Sequence, residues 1–261
     1  MLVTSIQIAS EQEETKAGRL QRASCYLQEI YDSGKRPCQI IFPELWGTGF
    51  FCFDNYRVEG ETEQGDTFDL MSSWSRRLGA YIHTGSFVEK DGDDYYNTSL
   101  LLNPMGRIVG KYRKIHLFGF GSREKEILSP GSQIAVINTE YGKVGMCTCY
   151  DLRFPEYFRA LVNLGAEYFL VASAWPLIRI EHWKLFNQTR AIENQSFVIS
   201  CNGTGTIDKN QLGGHSMIVD PWGEVLSMGD AKESVIQCEI APDKVDENRK
   251  HFPALQDRRL I

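Results

Sequence analysis

The sequence lacks any apolar run of the roughly 20 residues that a membrane-crossing helix needs; its longest apolar stretches are pieces such as Tyr168-Phe-Leu-Val-Ala-Ser-Ala-Trp175. Residues 1–10 carry no basic leader and pass straight into Glu11-Gln-Glu-Glu14, so neither a secretory signal nor membrane association is expected. No cluster of basic residues is present: 28 Lys plus Arg stand against 34 Asp plus Glu, a net charge of −6. That argues against nucleic acid as the main partner, because phosphate binding needs concentrated positive charge. Nine prolines are spread along the chain, and no linker, low-complexity segment or repeat of 20 to 50 residues stands out. The seven cysteines, at 25, 38, 52, 147, 149, 201 and 238, are odd in number and scattered, which is no disulfide framework. Reduced thiols and a cytoplasmic location are expected.

What is present is the composition of a packed protein: 42% apolar, 11% aromatic and 24% charged residues. Length alone, 261 residues, allows one or two domains. Residues 2–9 read as a strand, and residues 13–31, with Ala17, Leu20, Ala23, Tyr26, Leu27 and Ile30, have helical spacing. A wholly apolar run at 39–42, ended by Pro43, reads as a strand buried on both faces. A helix over 67–78, a strand over 80–89 and a hairpin of 95–102 with 107–113 follow. Strands over 134–138 and 143–149, a helix over 155–164, a strand over 167–172, a helix over 181–195 and a strand over 197–201 come next. A last hairpin of 216–220 with 224–227 precedes a strand over 235–241 and a polar terminal arm, 243–261. This interleaving predicts an α/β or α+β domain with more than one sheet layer.

Three clusters carry chemistry. In Phe42-Pro-Glu-Leu-Trp46, Glu44 lies just past the C-terminal end of a buried strand, where α/β sheets present ligands. In Gly110-Lys-Tyr-Arg-Lys-Ile-His-Leu-Phe118, Lys114 follows a strand. In Gly145-Met-Cys-Thr-Cys-Tyr-Asp-Leu-Arg-Phe-Pro-Glu156, Cys149 ends a strand where a helix opens, a position that favours a thiolate. A strand-end acid or lysine is ordinarily a solvated surface group. No histidine is singled out as the base a thiol nucleophile needs, so an acid, a lysine and a thiol are left to converge if their strand ends share one side of a sheet.

These segments together resemble the nitrilase, or carbon-nitrogen hydrolase, superfamily. The likeness extends through Ala191-Ile-Glu-Asn194, Gly214-His-Ser216, Asp220-Pro-Trp-Gly223 and Phe252-Pro-Ala-Leu-Gln-Asp-Arg-Arg259. It implies a four-layer α-β-β-α sandwich formed as a single domain over 1–261, a homodimer, and a triad of Glu44 as base, Lys114, and Cys149 as nucleophile. It also selects Cys149 over Cys147, which strand alternation would place on the same face and which reads as a small core residue. A second acid is implied before Ser129-Pro-Gly131; the spacing from Pro130 points to Glu124, with Glu126 as competitor. Phe118-Gly-Phe-Gly121 departs from the pattern by its extra glycine.

The chemistry so implied is amide hydrolysis through a thioester, with Lys114 and the Tyr150 N–H as oxyanion donors and no metal or cofactor. Trp-Pro-x-x-Arg-x-x-His-Trp, from Trp175 to Trp183, resembles the bacterial ω-amidase branch, whose substrates are dicarboxylic acid monoamides such as 2-oxoglutaramate. That places Trp175 and Arg179 near the substrate, a guanidinium being suited to a carboxylate; Arg190 reads equally well as a binding or a structural residue. A nitrilase or an N-carbamoyl amino acid amidohydrolase is the alternative. From another class come a soft metal site of Cys147, Cys149 and His215, and a non-catalytic interaction protein.

Overall fold

Alternation along the first strand decides how the chain is layered. In β1 (Leu2–Gln7), Val3 packs into one apolar cluster and Ile6 into another, and the same split separates Ile41 from Ile40 in β2 (Gln39–Ile41). A strand apolar on both faces needs cover on both. The computed structural model, which describes residues 1–259, supplies that cover with helices on one side and a second sheet on the other.

The outer cover is α1 (Lys16–Asp32), started by Thr15, whose side chain accepts from the Gly18 N–H, together with α3 (Asp66–Leu78); the short α2 (Tyr56–Glu59) lies between them in sequence. Ala23, Leu27 and Trp74 pack there against Ile6, Ile40 and Ile82. Strands β3 (Tyr81–His83), β4 (Phe87–Asp91), β5 (Asp94–Leu102) and β6 (Ile108–Arg113) complete this half of the chain.

After α4 (Glu124–Ile127), the second sheet is built from β7 (Val136–Thr139), β8 (Gly142–Thr148), β9 (Tyr168–Ser173) and β10 (Phe197–Asn202). Helix α5 (Pro155–Asn163) connects β8 to β9, and α6 (Ile180–Asn194) connects β9 to β10. The small pair β11 (Thr206–Ile207) and β12 (Asn210–Gln211) precedes β13 (Met217–Val219), β14 (Val225–Met228), β15 (Ser234–Glu239) and α7 (Lys244–His251). The sheet orders are β15-β1-β2-β3-β5-β4, with β6 beside β5, and β14-β13-β10-β9-β8-β7. Val3, Ile41, Leu101 and Tyr112 share a core with Met146, Leu170 and Ile199 of the facing sheet, and Phe158 and Leu161 of α5 cover that sheet from outside. The architecture is the α-β-β-α sandwich.

One expectation is corrected. The strand expected over 80–89 is two, β3 and β4, because the chain turns at Gly85 (φ 71°) to lie against Pro43; an added Cβ would stand 2.1 Å from the Pro43 carbonyl oxygen. The polar segment from 243 is docked on the domain: α7 buries Val245, and Arg249 donates to Ala166 O and Ser196 Oγ, each at 2.9 Å. The last two residues of that expected arm, 260 and 261, lie outside the described residues. Among the described residues no helix is long and apolar enough to cross a membrane.

Candidate active site

The turn at Gly85 positions Glu44. Ser86 N–H donates to Pro43 O at 3.0 Å, the Leu45 N–H donates to Ser86 Oγ at 3.0 Å, and Trp46 Nε1 donates to Thr84 O at 2.9 Å. Leu45 itself has a positive φ of 45°, a conformation this packing sustains. Glu44 is thereby held at the end of β2 facing β9: its N–H donates to Ser173 O at 3.2 Å, and its Oε2 accepts from the Ala174 N–H at 3.0 Å.

Lys114 follows β6 and is fully buried. Its Nζ lies 2.7 Å from Glu44 Oε1 and 3.0 Å from both oxygens of Glu124. Asn97 Nδ2 donates to the same Oε1 atoms of Glu44 and Glu124, at 2.9 Å each, and the Phe118 N–H donates to Glu124 Oε2 at 2.6 Å. Burial works to discharge Lys114, but Glu124 and Glu44 beside it hold its ammonium well above the usual lysine range. Burial also raises the Glu124 carboxyl, with Lys114 pulling the other way. Glu126, the competitor, points outward and pairs with Arg123, so Glu124 is the acid that reaches the lysine.

Cys149 does not continue β8. The strand ends at Thr148, and Cys149 has a φ of 45°, opening a single 3-10 turn, Cys149–Arg153. That reversal separates it from Cys147, which faces Arg190 of α6 from the buried strand, so the expected sharing of a face does not hold. The Cys149 thiol faces Glu44, Lys114 and Ser173 instead. Asp151 braces the turn: its carboxylate accepts from the Thr148 N–H at 2.8 Å and from the Tyr112 hydroxyl at 2.7 Å, and its other oxygen meets His116 Nδ1 at 2.7 Å. The expected lowering of the thiol pKa is also overturned. Burial and the neighbouring Glu44 push Cys149 far above the ordinary thiol value, and one short turn cannot offset them.

A narrow cleft opens onto Cys149, lined by Phe50, Phe51, Tyr150, Arg153, Trp175 and Arg179 among others. Trp175 is fixed by Asn202 Oδ1, which accepts its N–H at 2.6 Å, and by its Nε1 donating to Arg179 O at 2.8 Å. The Arg179 guanidinium stands 5.6 Å from the Phe118 ring centre and Arg153 4.9 Å from that of Trp175.

The family model described as carbon-nitrogen hydrolase matches residues 2–250. The chain belongs to this family. It is 36% identical to a 2-oxoglutaramate amidase of Paenarthrobacter nicotinovorans over 98% of this chain and 89% of that one. Over 88% of each chain it is 36% identical to a 2-oxoglutaramate amidase of Bacillus subtilis. The crystal structure of Saccharomyces cerevisiae Nit3, a member of branch 10 of the nitrilase superfamily, superposes with a TM-score of 0.91, at 29% identity, over 100% of this chain and 97% of that one.

In this carbon-nitrogen hydrolase, Glu44, Lys114, Glu124, Cys149, Tyr150, Trp175 and Arg179 are all brought to one place. Arg190 is not: it is buried behind the turn, donating to Leu152 O at 2.7 Å and pairing with Glu193. His215 Nδ1 contacts Gly213 O at 2.8 Å, and among the described residues no group of three or more His, Cys, Asp and Glu side chains is arranged to hold a metal ion, so Cys147, Cys149 and His215 form no soft metal site. Residues unforeseen from sequence are Asn97, Phe50, Phe51 and Arg153. Only Arg153 left a signal, as the basic residue four positions beyond the thiol; Asn97 is one polar residue in an otherwise ordinary strand.

Proposed function

We propose that this hydrolase is an ω-amidase, cleaving the terminal amide of a small carboxylate-bearing amide of the 2-oxoglutaramate type through a thioester on Cys149. The observation that carries the reading is the cleft over the thiol. It contains two guanidinium groups, Arg153 and Arg179, that among the described residues form no ion pair. Burial and mutual repulsion lower the pKa of Arg153, a cost that a bound carboxylate would offset. The naming of two relatives as 2-oxoglutaramate amidases supports the same substrate class.

Glu44 accepts the Cys149 proton as sulfur attacks the amide carbon, which a thiol pushed up by burial and Glu44 requires. Lys114 Nζ and the Tyr150 N–H receive the developing oxyanion. Glu44 returns the proton to the departing nitrogen and ammonia leaves. Water then attacks the thioester, giving its proton to Glu44, and the C–S bond breaks to release the acid and restore the thiol. Glu124 holds Lys114 in place. The scheme uses no metal or organic cofactor. Loss of one oxyanion donor costs on the order of a hundred- to a thousandfold in turnover.

The chain is further read as a single domain working as a homodimer in the cytoplasm, on small molecules and without nucleic acid. The exposed Ile192, Trp222 and Phe252 offer an apolar face for a second copy, and the reactive free thiol suits a reducing compartment. Ammonia release is measured across 2-oxoglutaramate, succinamate, aliphatic amides, nitriles and N-carbamoyl amino acids, with Cys149→Ala as control. Preference for the two carboxylate-bearing amides and loss in the variant are expected; preference for nitriles or carbamoyl compounds overturns the substrate class, and an active Cys149→Ala overturns the mechanism.

A further inference from the structure

The buried cluster holds two carboxylates and one ammonium, with Lys114 Nζ 2.7 Å from Glu44 and 3.0 Å from Glu124. When both acids are ionised it carries one more negative than positive charge. Carboxylates sharing one site repel, and the usual relief is that one of them keeps a proton. That relief is harmful here if Glu44 is to act as a base.

We propose that Asn97 is the positioning residue that keeps Glu44 and Glu124 ionised together, by giving a hydrogen of its side-chain amide to the Oε1 atom of each. Both contacts measure 2.9 Å, and the two acceptors are the atoms nearest each other's charge, since both also receive Lys114. Hydrogen bonds to the charged form favour that form. The strand register adds a third hold: the Lys114 main-chain N–H donates to Asn97 O at 2.9 Å, so one residue of β5 fixes the backbone of the lysine and the side chains of both acids. Asn97 is 1% exposed, and its Oδ1 has no hydrogen-bond partner among the described residues. A buried acceptor left unpaired is costly, and the opposite orientation of the amide is worse, because it turns that oxygen onto two carboxylates. The orientation is therefore dictated by the acids. The other titratable groups facing the pair are Cys149 and Tyr56, both neutral in their raised-pKa state. The Ala174 and Phe118 main-chain N–H groups each serve one acid, on its Oε2, so Lys114 and Asn97 are the side chains that oppose protonation of both at once.

The inference rests on Glu44 serving as the base. It is tested by the pH dependence of kcat and kcat/KM for ammonia release by the wild type, Asn97→Leu, which has similar size and no donor, and Asn97→Asp, which replaces donors by a third carboxylate. A base works when unprotonated, so raising its pKa moves the acid limb to higher pH. For Asn97→Leu the expected result is a limb displaced upward by about one pH unit, a ten- to hundredfold loss of kcat of this order, and KM within about threefold of wild type; Asn97→Asp moves the limb further. An unchanged limb and kcat in either folded variant overturn the role of Asn97 while leaving the amidase reading intact. If Asn97→Leu unfolds, Asn97→Ser, with one short donor, is read in its place by the same criteria. A wild-type chain that releases ammonia from no amide overturns the amidase reading and this inference with it.

Discussion

The Ala174 N–H donates to Oε2 of Glu44 at 3.0 Å, joining residues 130 positions apart across the two facing sheets. Glu44 closes the link by donating its own N–H to Ser173 O at 3.2 Å. One carboxylate oxygen is thus tied to the sheet that carries Cys149, and the other to Lys114 and Asn97. The acid belongs to the first sheet and is aimed by the second.

Glu44→Gln removes the proton acceptor while keeping the side chain's shape. Turnover is expected to fall by about a hundred- to ten-thousandfold, the range ascribed to general acid–base catalysis. Ammonia release under saturating amide checks it; an unaltered kcat removes Glu44 from the mechanism.

Arg179→Met tests recognition of the carboxylate. Loss of a charge-assisted contact predicts a kcat/KM for 2-oxoglutaramate reduced by roughly ten- to a hundredfold, against less than about threefold for an uncharged aliphatic amide of similar length. Equal losses for both substrates would make Arg179 a structural residue.

Asp151→Asn should destabilise the fold by about 2–4 kcal/mol, because the buried carboxylate accepts from the Thr148 N–H, the Tyr112 hydroxyl and His116, and an amide presents a donor to one of these donors. Urea unfolding monitored by tryptophan fluorescence gives the value.

The pH dependence of stability has two signed parts. Burial pushes the Cys147 and Cys149 thiols above their ordinary value of 9.0, so the unfolded chain loses those protons first and stability falls as the pH rises past 9.0. Burial pushes His83 down to about 3 from 6.5, so the unfolded chain gains that proton first and stability falls as the pH drops from 6.5 toward 3. In His83→Asn, where a side-chain oxygen replaces the Nδ1 that accepts the Gly85 N–H at 3.2 Å, melting temperature should decline less steeply over the acid window. An unchanged slope refutes the assignment to His83.

Much of the fold was legible because its signals are local. The apolar run at 39–42 needed only its composition to read as a doubly buried strand, and the spacing of Ala23, Leu27 and Ile30 marked the buried stripe of α1. The break at Gly85 was not legible, since it answers to Pro43, forty-two positions earlier and adjacent only after folding. The polar 243–251 segment looked like an arm because its helix is held by hydrogen bonds from Arg249 and by one buried valine, not by an apolar stripe.

At the site, the residue types at 44, 114 and 149 and their places at strand ends were written in the sequence, and so was the arginine at 179. The motif resemblance also selected Cys149 as the nucleophile, but not the facing of the two thiols: local alternation put Cys147 and Cys149 on one face, and a left-handed backbone at Cys149, sustained by Asp151 and the surrounding packing, set them apart. The same holds for charge. The sequence determined that a thiol would stand at a strand end beside an opening turn, which by itself suggests a lowered pKa. The tertiary structure decided the opposite by burying the thiol next to Glu44, because desolvation and a close carboxylate outweigh the field of a single turn. Asn97 was an unremarked strand residue until folding placed two carboxylates within 2.9 Å of its amide.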